Sequence, residues 1–421
     1  MSKVFNADNI SEATKAFTHK TAMEEAARCL LCYDAPCSKG CPAGTNPSKF
    51  IRSIRFRNPK GAAETIRENN VLGGVCALVC PYDKFCEEAC SRCGIDRPIE
   101  IGRLQSYAIE QEKAFNMEIL KAPENKKTEK IACVGAGPAS LAVASTLAIK
   151  GYQVTVFEKE KKAGGMLTYG LAFSRLPQET VDHDIRQVEN IGVKFEFGKT
   201  VGKDVDLAGF DAVFIGIGLG CSGFPDIPGT NLAGVYTAID FLKKARTQKE
   251  NFEFGNKVVV IGGGDSAVDA AVSAKLLGAQ DVRIVYRRTI EEAPADINEF
   301  HYALSLGIGI TTNMAPMSLG GDDILRFIVF KGRDGESELK LAVDTVIFAT
   351  GQKSDEILKI ADIKLTDDGL IKVDENCRTS VANIFAAGDI VNGGKTVVEA
   401  VGAGKEAAAA IVNYLQEREG K

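Results

Sequence analysis

Tryptophan is absent, histidine occurs three times in 421 residues, and no apolar run approaches the length of a bilayer span, which argues against a transmembrane helix. The N-terminal stretch MSKVFNADNISEATKAF has neither a signal-type apolar core nor an arginine-rich transit character, so a cytoplasmic protein is expected. A formal net charge of -5 leaves no cationic surplus for nucleic acid or an anionic membrane. Low-complexity tracts are missing as well. His19, His183 and His301 stand in no motif, and each reads as a surface or capping residue. No side chain is assigned a catalytic acid or base role, so the chemistry must come from cofactors.

Cysteine and glycine are what the chain has in quantity. Nine of the twelve cysteines fall in its first quarter. ARCLLCYDAPCSKGCP supplies Cys29, Cys32, Cys37 and Cys41; GGVCALVCPYDKFCEEACSRC supplies Cys76, Cys80, Cys86, Cys90 and Cys93. A cytosolic chain keeps its thiols reduced, so the bursts read as metal ligands before disulfides. The first is spaced C-x2-C-x4-C-x3-C and followed by proline, close to an iron–sulfur run whose last cysteine often ligates a neighbouring cluster. The second runs C-x3-C-x5-C-x3-C. Four-thiolate zinc is the competing reading. Cys133, Cys221 and Cys377 lie on or near predicted strands and read as buried hydrophobes.

The length suggests two or three domains. Residues 1–118 combine the cysteine bursts with helical patterns such as TAMEEAARCL, PSKFIRSIRF and GAAETIRENN, where apolar residues recur at three- and four-residue spacing. After the polar linker APENKKTEK the texture changes to β-branched runs, glycine turns and alanine-rich helices. KIACVGAGPASLAVASTLAIKG and KVVVIGGGDSAVDAAVSAKLLGA both read as strand, glycine turn and helix. The fold class is therefore α/β: an N-terminal helical two-cluster iron–sulfur domain followed by two doubly wound Rossmann-like domains. The expected division is 1–118 for the clusters, 125–234 plus 345–421 for FAD, and an inserted 235–344 for NAD(P), with TVIFATG returning the chain to the flavin sheet.

In the first turn Gly135 allows the tight bend, Gly137 lets the backbone approach a pyrophosphate, and Ser140 stands where glycine or alanine is usual. Glu158, at the end of QVTVFEKE, is placed to bind a ribose hydroxyl. Near the far end of the chain, Gly388 and Asp389 follow a strand and a helix begins near Thr396 and Val397; an aspartate there suits a ribityl chain and the helix N-terminus suits a reduced flavin. GGMLTYGLAFSRLP, with Gly165, is expected as a loop covering the ring. Nothing there resembles a redox-active dithiol beside the flavin. In the second turn Gly262, Gly264 and Ala267, with Asp265 and Ser266, complete a small-residue pattern, and Gly351 closes the set. The next strand, DVRIVYRR, ends in Arg287 and Arg288 where an acid would favour a free 2′-hydroxyl; a guanidinium pair suits a 2′-phosphate, so NADPH is expected, with NADH the alternative.

Taken with KFIRSIRFRNPKGAAETIRENN and PIEIGRLQ, the two bursts, both turns and AAGD resemble, over essentially the whole chain, the electron-input module shared by dihydropyrimidine dehydrogenase and the bacterial glutamate synthase small subunit. The nearer resemblance is to flavin and iron–sulfur subunits of bacterial two-subunit dihydropyrimidine dehydrogenases. That resemblance implies two interlocked [4Fe–4S] clusters. Cys29, Cys32, Cys37 and Cys90 would hold one; Cys41, Cys80, Cys86 and the unusual ligand Gln105 would hold the other. It leaves Cys76 and Cys93 without a role. It also implies electron flow from NAD(P)H through FAD and the clusters to a partner catalytic subunit, of the FMN-barrel type that reduces uracil or thymine, in a hetero-oligomer. A glutamate synthase partner, or a free-standing NAD(P)H:acceptor reductase, is the alternative.

Overall fold

A computed structural model describes residues 17–353 and 362–419; the polar N-terminal stretch up to residue 16 lies outside it. The chain divides into two compact units. One contains Thr168–Arg175 and Gly220–Lys353; the other contains residues 17–167, Leu176–Leu219 and 362–419.

The larger unit begins with helices His19–Arg28, Pro47–Arg55, Pro59–Asn69, Gly73–Val79 and Ile101–Ala114. Their starts are written locally. The side chains of Thr18, Asn46 and Asn58 each accept the backbone N–H three residues on, and proline follows the latter two at the first helical position. Phe50, Ile51, Ile54, Ala62, Ile66, Leu104 and Ala108 bury one shared core. Each of the larger ones contributes about 1.5–3 kcal/mol by leaving water.

A parallel sheet comes next, in the order Ile384–Ala386, Ala212–Ile215, Lys130–Val134, Gln153–Glu158, Lys194–Phe197. Lys130–Val134 is central, with Val134 beside Phe157 on one side and Ile215 on the other. Helix Pro138–Ile149, buried at most positions from Ala139 to Ala148, packs against the long helix Val397–Glu419. There is no room for side chains between them at Gly404, where a Cβ would lie 2.4 Å from the Ala139 carbonyl oxygen.

The smaller unit holds a second parallel sheet, ordered Val235–Thr237, Thr345–Phe348, Lys257–Ile261, Asp281–Val285, Gly309–Thr311. Beside it in sequence is an antiparallel meander, Met314–Gly321, Leu325–Gly332 and Glu338–Ala342. Two expectations are corrected. The strand of TVIFATG does not return to the flavin sheet: Thr345–Phe348 pairs with Val258–Ile261 and with Val235–Thr237 inside the second sheet. All four of its residues are buried, so its pattern carries no sign of which sheet it joins. Thr168–Arg175 and residues 220–234, expected within the FAD division 125–234, belong to the compact unit of the second sheet. Arg246 holds the former there, donating from Nε to the Thr168 carbonyl at 2.8 Å and from Nη1 to that of Leu171 at 3.0 Å.

Candidate functional site

The first glycine turn is forced by its surroundings. Gly135 has φ +88, and a Cβ there would lie 2.9 Å from the Gly216 carbonyl oxygen. Gly137 opens helix Pro138–Ile149, and a Cβ on it would meet only Gly216 O at 3.8 Å, so the backbone is unobstructed on that side. That cradle fits a pyrophosphate, whose charge favours free N–H groups and the positive end of a helix. Gly165 abuts the same turn, a Cβ on it falling 3.0 Å from Gly137 Cα, and Gly164 donates to Ala136 O at 2.8 Å. Glu158 is buried, and burial pushes its carboxyl above the ordinary range. Ala136 N–H donates to its Oε2 at 2.7 Å and Glu160 N–H to Oε1 at 2.9 Å. Each oxygen retains acceptor capacity for a hydroxyl.

The far end of the chain meets this turn. A Cβ on Gly388, φ +79, would lie 3.0 Å from Ala139 Cβ. Asp389 starts the short helix Asp389–Asn392; burial raises its carboxyl, and Lys395 N–H donates to it at 3.1 Å. Thr396 caps helix Val397–Glu419 reciprocally with Glu399: its hydroxyl and N–H reach Glu399 Oε2 at 2.8 and 3.1 Å, and Glu399 N–H returns to Thr396 Oγ1 at 3.3 Å. Gly135, Gly137, Ser140, Gly165, Gly388 and Asp389 are thus gathered around one turn.

The second turn repeats the first with different furniture. Gly262 has φ +151, and a Cβ would sit 2.5 Å from the Ala349 carbonyl oxygen and 3.2 Å from Ala267 Cβ. Gly264 opens helix Asp265–Leu276 with only Pro294 near its missing Cβ, at 3.8 Å. Asp265 is exposed and accepts the Asp296 N–H at 3.2 Å, Ser266 is half-buried, and Gly351, φ +122, stands open. Arg287 and Arg288, just past strand Asp281–Val285, are exposed and have no ion pair among the described residues. Sequence reasoning missed a neighbouring group on the same helix. Asp269 is buried and pushed up to about 7 by that burial, against the pull of Arg175 at 3.8 Å. Arg175 also lies 3.6 Å from Glu299. Nothing in SRLP or in the helix sequence signals that pairing.

The thiols fall into two electrostatic groups. Burial raises the Cys29 thiol, and the charges of Cys90 and Cys32 add to it. Cys37 is pushed up to about 11 by burial and then by Cys90, Cys29 and Cys32. Cys80 is raised by burial, then by Cys76, Cys86 and Cys41; Cys86 is raised by burial, then by Glu87, Cys41 and Cys37. Cys29, Cys32, Cys37 and Cys90 are therefore near one another, as are Cys41, Cys80 and Cys86, and Cys37 links the groups. A thiol must shed its proton for a metal to take its place, and both groups offer sulfur donors and no histidine, a soft donor set of the kind iron–sulfur clusters use. Among the described residues no three His, Cys, Asp or Glu side chains converge on a single metal ion. Gln105 is buried on helix Ile101–Ala114 and donates from Nε2 to the Gly73 carbonyl at 2.7 Å, tying it to the helix that ends at Cys80. Cys76 is buried, accepts a hydrogen bond from Asn70 Nδ2 at 3.2 Å, and is pushed up to about 12 by burial. Cys93 is exposed. Of the remaining cysteines only Cys133 is a buried hydrophobe; Cys221 and Cys377 are half-buried.

A buried ion network ties helices Pro59–Asn69 and Ile101–Ala114 to Gly73–Val79, which carries Cys76. Arg67 is fully buried, with Nε 2.9 Å from Glu112 Oε2 and Nη1 2.7 Å from Asp184 Oδ1, while Asp184 Oδ2 accepts Val75 N–H at 2.8 Å. His183 joins at 3.1 Å from Glu112 Oε1, so it is not the surface or capping residue expected; His19 and His301 are exposed. Losing one partner would strand a buried charge, at a cost of about 3–5 kcal/mol.

Comparison with known proteins accords with this architecture. Residues 129–404 match the family model described as pyridine nucleotide-disulphide oxidoreductase, and residues 6–117 match dihydropyrimidine dehydrogenase domain II, 4Fe-4S cluster. The NAD-dependent dihydropyrimidine dehydrogenase subunit PreT of Escherichia coli (strain K12) is 44% identical over 411 residues, 97% of each chain. The glutamate synthase (NADPH) small chain of the same strain is 30% identical, covering 96% of this chain and 94% of that one. Thioredoxin reductase of Lactococcus lactis shares the fold of 69% of this chain over its whole length, at a TM-score of 0.58 and 23% identity. Unlike the family name, this chain offers no cysteine pair after residue 133: only Cys221 and Cys377 lie beyond it.

Proposed function

Because the chain belongs to the pyridine nucleotide-disulphide oxidoreductase family and carries a dihydropyrimidine dehydrogenase-type 4Fe-4S domain, we propose that it takes electrons from NADPH and delivers them to a pyrimidine-reducing catalytic subunit. It is an oxidoreductase subunit of the flavin and iron–sulfur class, with FAD, NAD(P)H and 4Fe-4S clusters as its cofactors. Bound flavin supplies the conversion of a hydride's electron pair into single electrons, and the clusters supply one-electron conduction.

The residues have distinct duties in this reading. Gly135, Gly137, Ser140, Glu158, Gly165, Gly388, Asp389, Thr396 and Val397 hold FAD. Gly262, Gly264, Asp265, Ser266, Ala267 and Gly351 hold the nicotinamide dinucleotide, with Arg287 and Arg288 on its 2′-phosphate. Cys29, Cys32, Cys37 and Cys90 take one cluster; Cys41, Cys80, Cys86 and Gln105 take the other. With the Gln105 amide nitrogen engaged by Gly73, its oxygen is left to ligate. The observation that carries the reading is the coexistence of two glycine cradles, one followed by an acid and one by an arginine pair, with two thiol groups in one chain. The partner is proposed to be an FMN-barrel subunit and the complex cytoplasmic; no described helix is long and apolar enough to cross a membrane. A glutamate-synthesising partner is the second reading, favoured by the arginine pair and the NADPH in the 30%-identical relative's name.

Anaerobic affinity purification of this chain from its own organism tests both. The expected product is a brown complex with iron and acid-labile sulfide for two [4Fe–4S] clusters and an FMN-bearing subunit that reduces uracil or thymine. A glutamine-hydrolysing subunit in its place would move the protein to the second reading, and zinc without sulfide would overturn both.

A further inference from the structure

Lys405 is a half-buried cation whose place in the fold exceeds packing. It lies on helix Val397–Glu419 and donates from Nζ to the Ala43 carbonyl at 2.6 Å and to the Asn69 carbonyl at 2.9 Å. Ala43 follows Cys41 and Pro42, and Gly402, one turn earlier on the same face, lets the helix seat against the Pro42 carbonyl, 2.5 Å from its missing Cβ. Among the described residues Lys405 has no carboxylate partner. An ammonium taken partly out of water with only backbone acceptors is costly unless an anion stands nearby. Burial draws its pKa below the usual lysine range, and the Cys41 sulfur is the charge that opposes this. The acid facing the same thiols is Glu87, whose Oε1 accepts the Gly102 N–H at 3.1 Å. The helix is also anchored at its N-terminus by the Thr396–Glu399 cap, Val397 standing about 12 Å before Lys405 along the axis at 1.5 Å per residue. One rigid element therefore connects the cofactor-facing cap to the cysteine loop.

We infer that Lys405 is a positioning residue for electron transfer: its ammonium is the counter-charge that raises the reduction potential of the cluster held by Cys41, Cys80, Cys86 and Gln105. The inference rests on the assignment of Cys41 as a ligand of that cluster. The step it favours moves one electron from reduced flavin to the oxidised cluster, with no bond made or broken between them. The added negative charge is stabilised by a fixed positive one in a medium of low dielectric, so the cluster nearest Lys405 is the better acceptor.

The test is an anaerobic redox titration of the full chain with its cofactors, both clusters followed by EPR, in wild type, Lys405→Gln, Lys405→Met and Lys405→Arg. Gln keeps a donor without the charge, Met removes both, and Arg keeps both. At a fixed potential near the midpoint, Gln and Met should lower the reduced-to-oxidised ratio of one cluster about tenfold, a shift of about 59 mV for a one-electron couple. The other cluster should stay in place, and Arg should restore the first. Unmoved potentials in Gln, or a Gln variant that loses iron and sulfide while Arg keeps them, would overturn the inference, the latter by showing a purely structural anchor. Wild-type protein containing a single cluster would instead sink the ligand assignment, and the inference with it.

Discussion

The two strand–glycine–helix units use the same backbone device for opposite purposes. Both glycines after the strand have positive φ and a carbonyl oxygen too close for a Cβ, and the glycine that opens each helix has no atom nearer than 3.8 Å to its missing Cβ. Beyond the glycines the two units diverge. The first turn is closed upon itself: buried Glu158 accepts the Ala136 N–H of the turn, Gly165 covers Gly137, and Gly388 arrives from the far end of the sequence. The second ends in exposed Arg287 and Arg288, whose side chains make no ion pair among the described residues. A site enclosed from both ends of a chain suits a resident cofactor, whereas open cations suit a ligand that must come and go on every turnover.

The sharpest way to break that contrast is to block each turn separately. Gly135→Ala and Gly262→Ala both force a Cβ into a left-handed backbone against a carbonyl, a strain of about 1–3 kcal/mol. Gly135→Ala is expected to purify without flavin and without reductase activity. Gly262→Ala should keep its flavin absorbance yet lose NAD(P)H oxidation with ferricyanide by about a hundredfold, as about 2.7 kcal/mol of lost binding would give. Absorbance spectra and activity on the two variants decide this. Flavin lost from both would show that the turns are not independent.

A smaller effect is expected at the arginines. Replacing Arg287 and Arg288 with serine should raise KM for NADPH at least tenfold, about 1.4 kcal/mol, while moving that for NADH little. The NAD in the 44%-identical relative's name pulls the other way, so steady-state kinetics with both dinucleotides is informative. Equal changes would assign the pair to a solvated strand end.

The sequence disclosed whatever depends on neighbours in the chain. Both glycine turns and the bursts of cysteine are local patterns, legible at the level of residue spacing. Partners decided by distant packing were not disclosed. Thr345–Phe348 is a uniformly buried run, and such a run fits the middle of either sheet. Arg67, within ETIREN, looks like a solvated helix residue until Asp184, 117 positions later, is brought to it. Arg175 and Asp269, and Lys405 and the Cys41 loop, are of the same kind. The site was legible as motifs; its electrostatics was not, because buried charges pair through the fold.

The finest difference between the turns is the third small residue. Ala267 fills its position without a polar atom, whereas Ser140 is fully buried and its Oγ has no hydrogen-bond partner among the described residues. Gly216 makes the room, since a Cβ there would lie 2.3 Å from that oxygen. A stranded hydroxyl costs free energy that an alanine does not, so Ser140→Ala should stabilise the flavin-free protein by about 1 kcal/mol. The readout is a higher urea midpoint at unchanged slope. Repeating the titration with FAD bound separates two explanations of why serine is there. An equal gain in both forms means that the hydroxyl only fills space beside Gly216. A gain confined to the flavin-free form means that bound FAD supplies the partner which the protein withholds, and it would make the first turn the more specialised of the two.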